Sequence, residues 1–295
     1  MSSHNDGGAW SARLPFGVLR AAGAVLRMSV GSGRIRLVQL TVSADGTRIA
    51  FEEHGAGRPI VLTAGALSTG ASTRPLAEAF AVAGWRGVCW DRRGRGASGD
   101  TAPYAPEREI EDLRAVISAV GGGAVVFGHS GGAALTLLAA GRGVPMAHLF
   151  VSEPVLRFGE DEPPADLADR LQALVDDHRP EEAVLTFQRE NVRLGSAELD
   201  QLVACDAFAG MVGLAQTTVY DTRLIALAST PSPAVTHCGV PMTVLRGEPA
   251  APIFVAGCPR LAAMVPGADF VVVPESHDHA VDPRGTVREV LSRAS

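Results

Sequence analysis

The chain has 295 residues, 46% of them hydrophobic and 20% charged, with a net charge of −6. That length can bury about three quarters of its unfolded surface around one core, so a single α/β domain with an insertion suffices. The acidic balance and a pI near 5.8 argue against a nucleic-acid partner, whose phosphates demand a basic face. Cys89, Cys205, Cys238 and Cys258 show neither close pairing nor metal-ligand spacing, which reads as reduced thiols in a cytoplasm.

In chain order, residues 1–8 are polar and read as disordered. Residues 14–28 are apolar but carry Arg20 and Arg27, so neither a secretion signal nor an integral membrane segment fits. A helix packed on the domain's own surface is expected there, ahead of an interfacial anchor or a partner-binding helix, with Gly31 to Gly33 as a hinge. Alternation then predicts strands over 36–43 and 47–53, joined by the hairpin signal Asp45-Gly46. Short buried strands follow at 60–63 and 87–90, with an amphipathic helix over 74–83 between them and another over 107–120. Arg92, Arg93 and Arg95 form the dense basic cluster and read as a solvated turn.

Residues 125–132 read Val-Val-Phe-Gly-His-Ser-Gly-Gly, a G-x-S-x-G pattern between a short apolar run and a helix-forming run that stops at Gly141. Ser130 therefore sits on a sharp turn from strand into helix. Small neighbours at 128 and 132 are needed because side chains there would collide with the opposing backbone. The hydroxyl stands exposed, and the Gly131 N–H points where a negative oxygen would form, helped by the helix dipole. Ser130 is the expected nucleophile. Strands alternating with helices mean a mainly parallel sheet covered on both faces, with ligands at the carboxyl ends of its strands. Ser130, Ala66 and Asp91 all end strands and are expected to share one crevice.

Three blocks make the chain resemble the α/β-hydrolase superfamily, in the branch of bromoperoxidase-like esterases and proline-iminopeptidase-like enzymes. They are residues 45–51 (Asp-Gly-Thr-Arg-Ile-Ala-Phe), residues 91–99 (Asp-Arg-Arg-Gly-Arg-Gly-Ala-Ser-Gly) and Gly128 to Gly132. The resemblance implies an eight-stranded, mainly parallel sheet with helices on both faces and a helical cap after the sixth strand. The chain then divides into an extension (1–35), a core (36–156 and 236–295) and a cap (157–235). His129 and Leu67 would wall the pocket, joined from the cap by Phe187, Met211 and Tyr220.

Similar hydrolases place the base after the eighth strand, read here at 269–273. His277 keeps the better spacing to Pro283 and is preferred, with His279 as the alternative. After the seventh strand (241–247), Ala250 stands where similar enzymes carry the catalytic aspartate. Glu153, at the end of the sixth strand, is the stronger substitute, and Glu248 the alternative. Gly131 and Ala66 would supply the oxyanion N–H groups.

The resemblance thus implies a serine hydrolase of an ester, thioester or lactone of a small to medium, mainly apolar molecule, acting through an acyl-enzyme without a cofactor. Serine at the elbow argues against dehalogenase and epoxide-hydrolase chemistry, where similar enzymes use aspartate. A cyclase, acyl transferase or C–C bond-cleaving enzyme is the alternative, as is a hydrolase-like binding protein without turnover. The sequence leaves assembly as a homo-oligomer open.

Overall fold

Short runs rich in β-branched residues, bounded by glycine and proline, build the sheet that carries the molecule. The structure, a computed structural model, describes residues 20–21, 24–25, 27–31 and 34–294, with side chains from Leu37 onward. In chain order the strands are β1 (Arg27–Gly31), β2 (Arg34–Val42), β3 (Arg48–Gly55), β4 (Pro59–Thr63) and β5 (Arg86–Trp90). They continue as β6 (Val125–His129), β7 (His148–Ser152), β8 (Met242–Gly247) and β9 (Asp269–Val273). Their spatial order is β9-β8-β7-β6-β4-β5-β3-β2-β1. Strands β4 to β9 are mutually parallel, and β3, β2 and β1 continue the sheet antiparallel.

Eight of these strands are those the sequence reading expects. The ninth, β1, comes from the N-terminal segment, where a surface helix was the expectation. It pairs from Arg27↔Val38 to Gly31↔Arg34 and so extends the sheet's edge. Arg20–Ala21 and Ala24–Val25 form a separate antiparallel ribbon. Residues 1–19, including the stretch expected to be disordered and the start of the expected helix, lie outside the described residues.

Period-two alternation sorts the core into two layers. Ile60, Leu62, Val125, Phe127 and Phe150 point to one face, in a cluster with Leu76 and Phe80 of α1 (Arg74–Val82). Val61, Val126, Leu149 and Val151 point to the other, in a cluster with residues of α2 (Pro106–Ala119) and α3 (Gly131–Gly141). Helix α3 runs through Gly141 rather than stopping ahead of it. A Cβ at Gly141 would stand 1.9 Å from the Ala234 carbonyl oxygen, so this glycine serves close packing.

Between β7 and β8 the chain forms α4 (Leu167–Asp176), α5 (Pro180–Phe187), α6 (Ser196–Ala204), α7 (Phe208–Val212), α8 (Gln216–Ser229) and α9 (Pro233–Thr236). Helices α10 (Pro252–Met264) and α11 (Pro283–Leu291) flank β9. No helix among the described residues is long and apolar enough to cross a membrane.

The basic turn expected to be solvated is buried. Arg92, Arg93 and Arg95 are 1%, 0% and 2% exposed. Carboxylates from distant elements explain this. Arg92 donates to Glu109 (2.6 and 2.9 Å) and to Asp221 (2.8 Å), Arg93 to Asp112 (2.7 and 2.8 Å) and Asp45 (2.9 Å), and Arg95 to Asp221 (2.8 Å). Burial works against the charge of Arg92, but Asp221 and Glu109 outweigh it and its pKa rises. Asp221 lies on α8, so this network bolts the helices after β7 onto the core.

Candidate active site

The turn that carries Ser130 is built as its spacing demands. Ser130 has φ 55° and ψ −123°, a left-handed strand-to-helix corner that a non-glycine residue adopts only under local constraint. The neighbouring glycines supply room. A Cβ at Gly128 would stand 2.3 Å from Thr136 Oγ1, and one at Gly132 would stand 2.4 Å from the Ala64 carbonyl oxygen.

Opposite the corner, the loop after β4 brings Ala66 up to the start of α3. The Ala66 nitrogen lies 3.4 Å from where a Gly131 Cβ would be. The carbonyl of Gly65 accepts from Arg95 Nη1 (2.8 Å) and from Ser68 Oγ (3.0 Å). Because a trans peptide is planar, fixing that carbonyl aims the Ala66 N–H the opposite way. A buried arginine thus orients one of the two N–H groups that could stabilise an oxyanion.

Glu153 follows β7 in the left-handed region (φ 44°) and is 2% exposed. Its Oε1 accepts from the Gly247 N–H (2.8 Å), tying it to the end of β8. Its Oε2 accepts from His279 Nδ1 at 2.6 Å. A carboxylate can only accept, so Nδ1 is the donor, which in the neutral imidazole leaves Nε2 as the acceptor. The His279 ring stacks on Phe254 (centroids 4.5 Å apart, 10° between planes) and tilts against His129 (4.4 Å, 38°).

His277, preferred on spacing, does not join this group. It is exposed, and its Nδ1 donates to the Glu248 carbonyl at 2.7 Å. The reason is backbone conformation: Asp278 (φ 50°) and His279 (φ 63°) are both left-handed. Two such residues in succession turn the chain back and bring the second histidine over Glu153. Glu248 is exposed, pairs with Arg246 at 3.0 Å and makes no contact with either ring through its carboxylate. Asp91 is likewise outside the crevice, accepting from the Gly70 and Ala97 N–H groups at 2.8 Å to fasten its own loop.

Ser130, His129 and His279 line a cavity of about 820 Å³ whose wall includes Leu67, Phe187 and Phe254. Its size suits a small to medium ligand. Met211 and Tyr220 are not on that wall; they pack in an apolar cluster among the helices after β7. Tyr220 stacks on Tyr104 (centroids 3.9 Å apart) and donates to Asp100 at 2.7 Å. Phe254 and Arg157 are among the wall residues that sequence reasoning missed, and neither stands in a recognisable pattern. Burial, with the adjacent His279, pushes the His129 imidazole down to about 3, so it is neutral.

Parallel strands, a left-handed serine corner and a carboxylate–imidazole pair at the strands' carboxyl ends together define an α/β-hydrolase. The sequence matches the profile of the alpha/beta hydrolase family over residues 54–289, and the chain belongs to that family. An alpha/beta hydrolase from Sphaerobacter thermophilus DSM 20745 is 39% identical, with a TM-score of 0.79 covering 86% of this chain and 99% of that one. An esterase from Thermogutta terrifontis (21% identity, TM-score 0.64, 88% and 98% of the two chains) shares the fold. So does an esterase from Exiguobacterium antarcticum (18%, 0.60, 86% and 97%). Comparison with curated proteins gives no match.

Proposed function

We propose that the chain is a serine hydrolase that cleaves an ester, thioester or lactone of a small to medium molecule through an acyl-enzyme. One observation carries the reading: the Glu153–His279 pair shares a cavity with a serine held at a left-handed strand-to-helix corner. Esterases among the structures of similar fold agree with it.

In this mechanism Ser130 Oγ attacks the carbonyl carbon while His279 Nε2 takes its proton. The oxyanion is held by the N–H groups of Gly131 and Ala66, each worth about 3–4 kcal/mol to the transition state. His279 then protonates the leaving oxygen or sulfur, and Glu153 supports the imidazolium through Nδ1. Water, deprotonated by the same nitrogen, attacks the acyl-enzyme and releases the acid. Ser130 and His279 form no hydrogen bond at rest among the described residues; such contacts commonly tighten when substrate binds.

Hydrolysis of short p-nitrophenyl esters tests the assignment. Ser130→Ala and His279→Ala are expected to lower kcat by roughly 10³-fold or more, whereas His277→Ala stays within about threefold. An inactive wild-type protein, or equal losses at the two histidines, contradicts it.

A further inference from the structure

Four arginines are more than nine-tenths buried in the described residues, at positions 92, 93, 95 and 157. The first three are each closed by carboxylates at 2.9 Å or less. Arg157 is not. It lies four residues beyond Glu153, is 7% exposed, and lines the cavity that holds Ser130 and His279. Its Nη2 donates to the Asn191 carbonyl, and its Nε has no partner. Its Nη1 stands 3.6 Å from Asp161 Oδ2, beyond hydrogen-bond distance, and the Asp161 side chain is 73% exposed.

A guanidinium offers five N–H donors; here Nη2 makes a hydrogen bond, Nη1 stands in a loose ion pair, and Nε has no partner. Burying such a group unfilled is unfavourable unless something completes it. The same corner holds a second orphan. Asn191 Oδ1 is buried without a partner, in the π-turn Gln188–Val192 that continues α5. Gln188 and Val192 line the same cavity, and π-turns inside helices are frequent at functional sites.

The other charged groups on this wall are more fully engaged. Arg193 pairs with Asp161 at 3.1 Å, and the Glu198 carboxylate accepts from the Gly195 N–H. Arg157 therefore shares one exposed carboxylate with Arg193 and holds it only loosely, and its planar fork matches a two-oxygen acceptor. Asp161 and Glu198 on the same wall disfavour a phosphate dianion and leave a carboxylate as the fitting anion.

We infer that Arg157 is the anion-binding element of the substrate pocket, and that the natural substrate carries a carboxylate away from its scissile bond. This rests on the hydrolase reading above and narrows its substrate class. The test uses monomethyl glutarate, with the carboxylate on the acyl side, and 3-acetoxypropanoate, with it on the alcohol side. Each is compared with its neutral methyl ester.

For at least one pair, wild-type kcat/KM is expected to favour the anion roughly tenfold or more, and Arg157→Gln to lower that ratio at least tenfold. Arg157→Lys keeps the charge but not the fork, and is expected to lower the ratio about fivefold while preserving the fold. Isothermal titration with glutarate supplies a readout independent of turnover, with binding weakened at least tenfold in Arg157→Gln. Neutral esters hydrolysed with no preference for either anion overturn the subsite and leave the hydrolase standing. Glutarate binding that depends on Arg157, without hydrolysis of any ester, keeps the subsite and overturns the hydrolase. A preference or glutarate affinity that survives both substitutions also overturns the subsite.

Discussion

Glutamine at position 153 isolates the electrostatic part of the Glu153–His279 pair. The substitution preserves side-chain volume and leaves an amide oxygen to accept from the Gly247 N–H, now 2.8 Å from Oε1. It removes the charge facing His279 Nδ1 at 2.6 Å and presents an NH₂ to a nitrogen that must itself donate. When His279 takes the serine proton, an imidazolium and a carboxylate with charge centres roughly 4 Å apart attract by about 4 kcal/mol at an effective dielectric of about 20. That corresponds to about 10³ in kcat. Loss of tautomer control brings the total toward about 10⁴, the loss found when a serine-protease triad has its aspartate replaced by asparagine. Steady-state hydrolysis of p-nitrophenyl acetate is the assay, with circular dichroism to check the fold. We expect kcat of Glu153→Gln to fall by about 10³ to 10⁴ with KM changed by less than about threefold. Glu248→Gln, on an exposed carboxylate, is the control and is expected within about twofold. A Glu153→Gln enzyme retaining more than about a tenth of wild-type kcat refutes the reasoning.

Asp221→Asn strips the shared carboxylate from Arg92 and Arg95, all three being fully buried. Urea unfolding is expected to show a loss of about 3–5 kcal/mol, as for a broken buried pair, and kcat falls too because Arg95 orients the Gly65–Ala66 peptide. A loss below about 1 kcal/mol contradicts the network's role. His129 takes up a proton in the unfolded chain near pH 6.5 but resists doing so in the folded protein until about 3. Between those values the unfolded state binds more protons, so stability falls as pH falls and is regained above 6.5. His129→Asn is expected to flatten part of that slope between pH 6.5 and 5, by up to about 2 kcal/mol in urea titrations. Identical slopes for variant and wild type contradict a neutral, half-buried imidazole.

Local rules were enough for the sheet and the Ser130 turn. Apolar alternation at Ile60-Val61-Leu62 and Val125-Val126-Phe127 places each residue on its layer, and the small residues at 128 and 132 mark close approaches to Thr136 and to the Ala64 carbonyl. The position of Glu153 at a strand end was legible. Which histidine faces it was not, because that depends on two successive left-handed residues, neither of them glycine. The three arginines of the turn looked solvated because their partners lie 17 to 129 residues away in sequence, and only tertiary pairing buries them. Arg157 carries no sequence signal for the same reason: its burial with one loosely held, exposed carboxylate is a tertiary property. Tyr220 and Met211 have the composition of pocket residues, but helix packing draws them into an apolar cluster among the helices after β7.

The central claim is that Ser130 forms a covalent intermediate under the control of His279. Mass spectrometry of the protein treated with a fluorophosphonate, followed by peptide mapping, tests it in one step. The account predicts a single adduct on the peptide that contains Ser130, with labelling slowed by roughly 10²-fold or more in His279→Ala. No adduct, an adduct elsewhere, or equal labelling rates in the two proteins would contradict it.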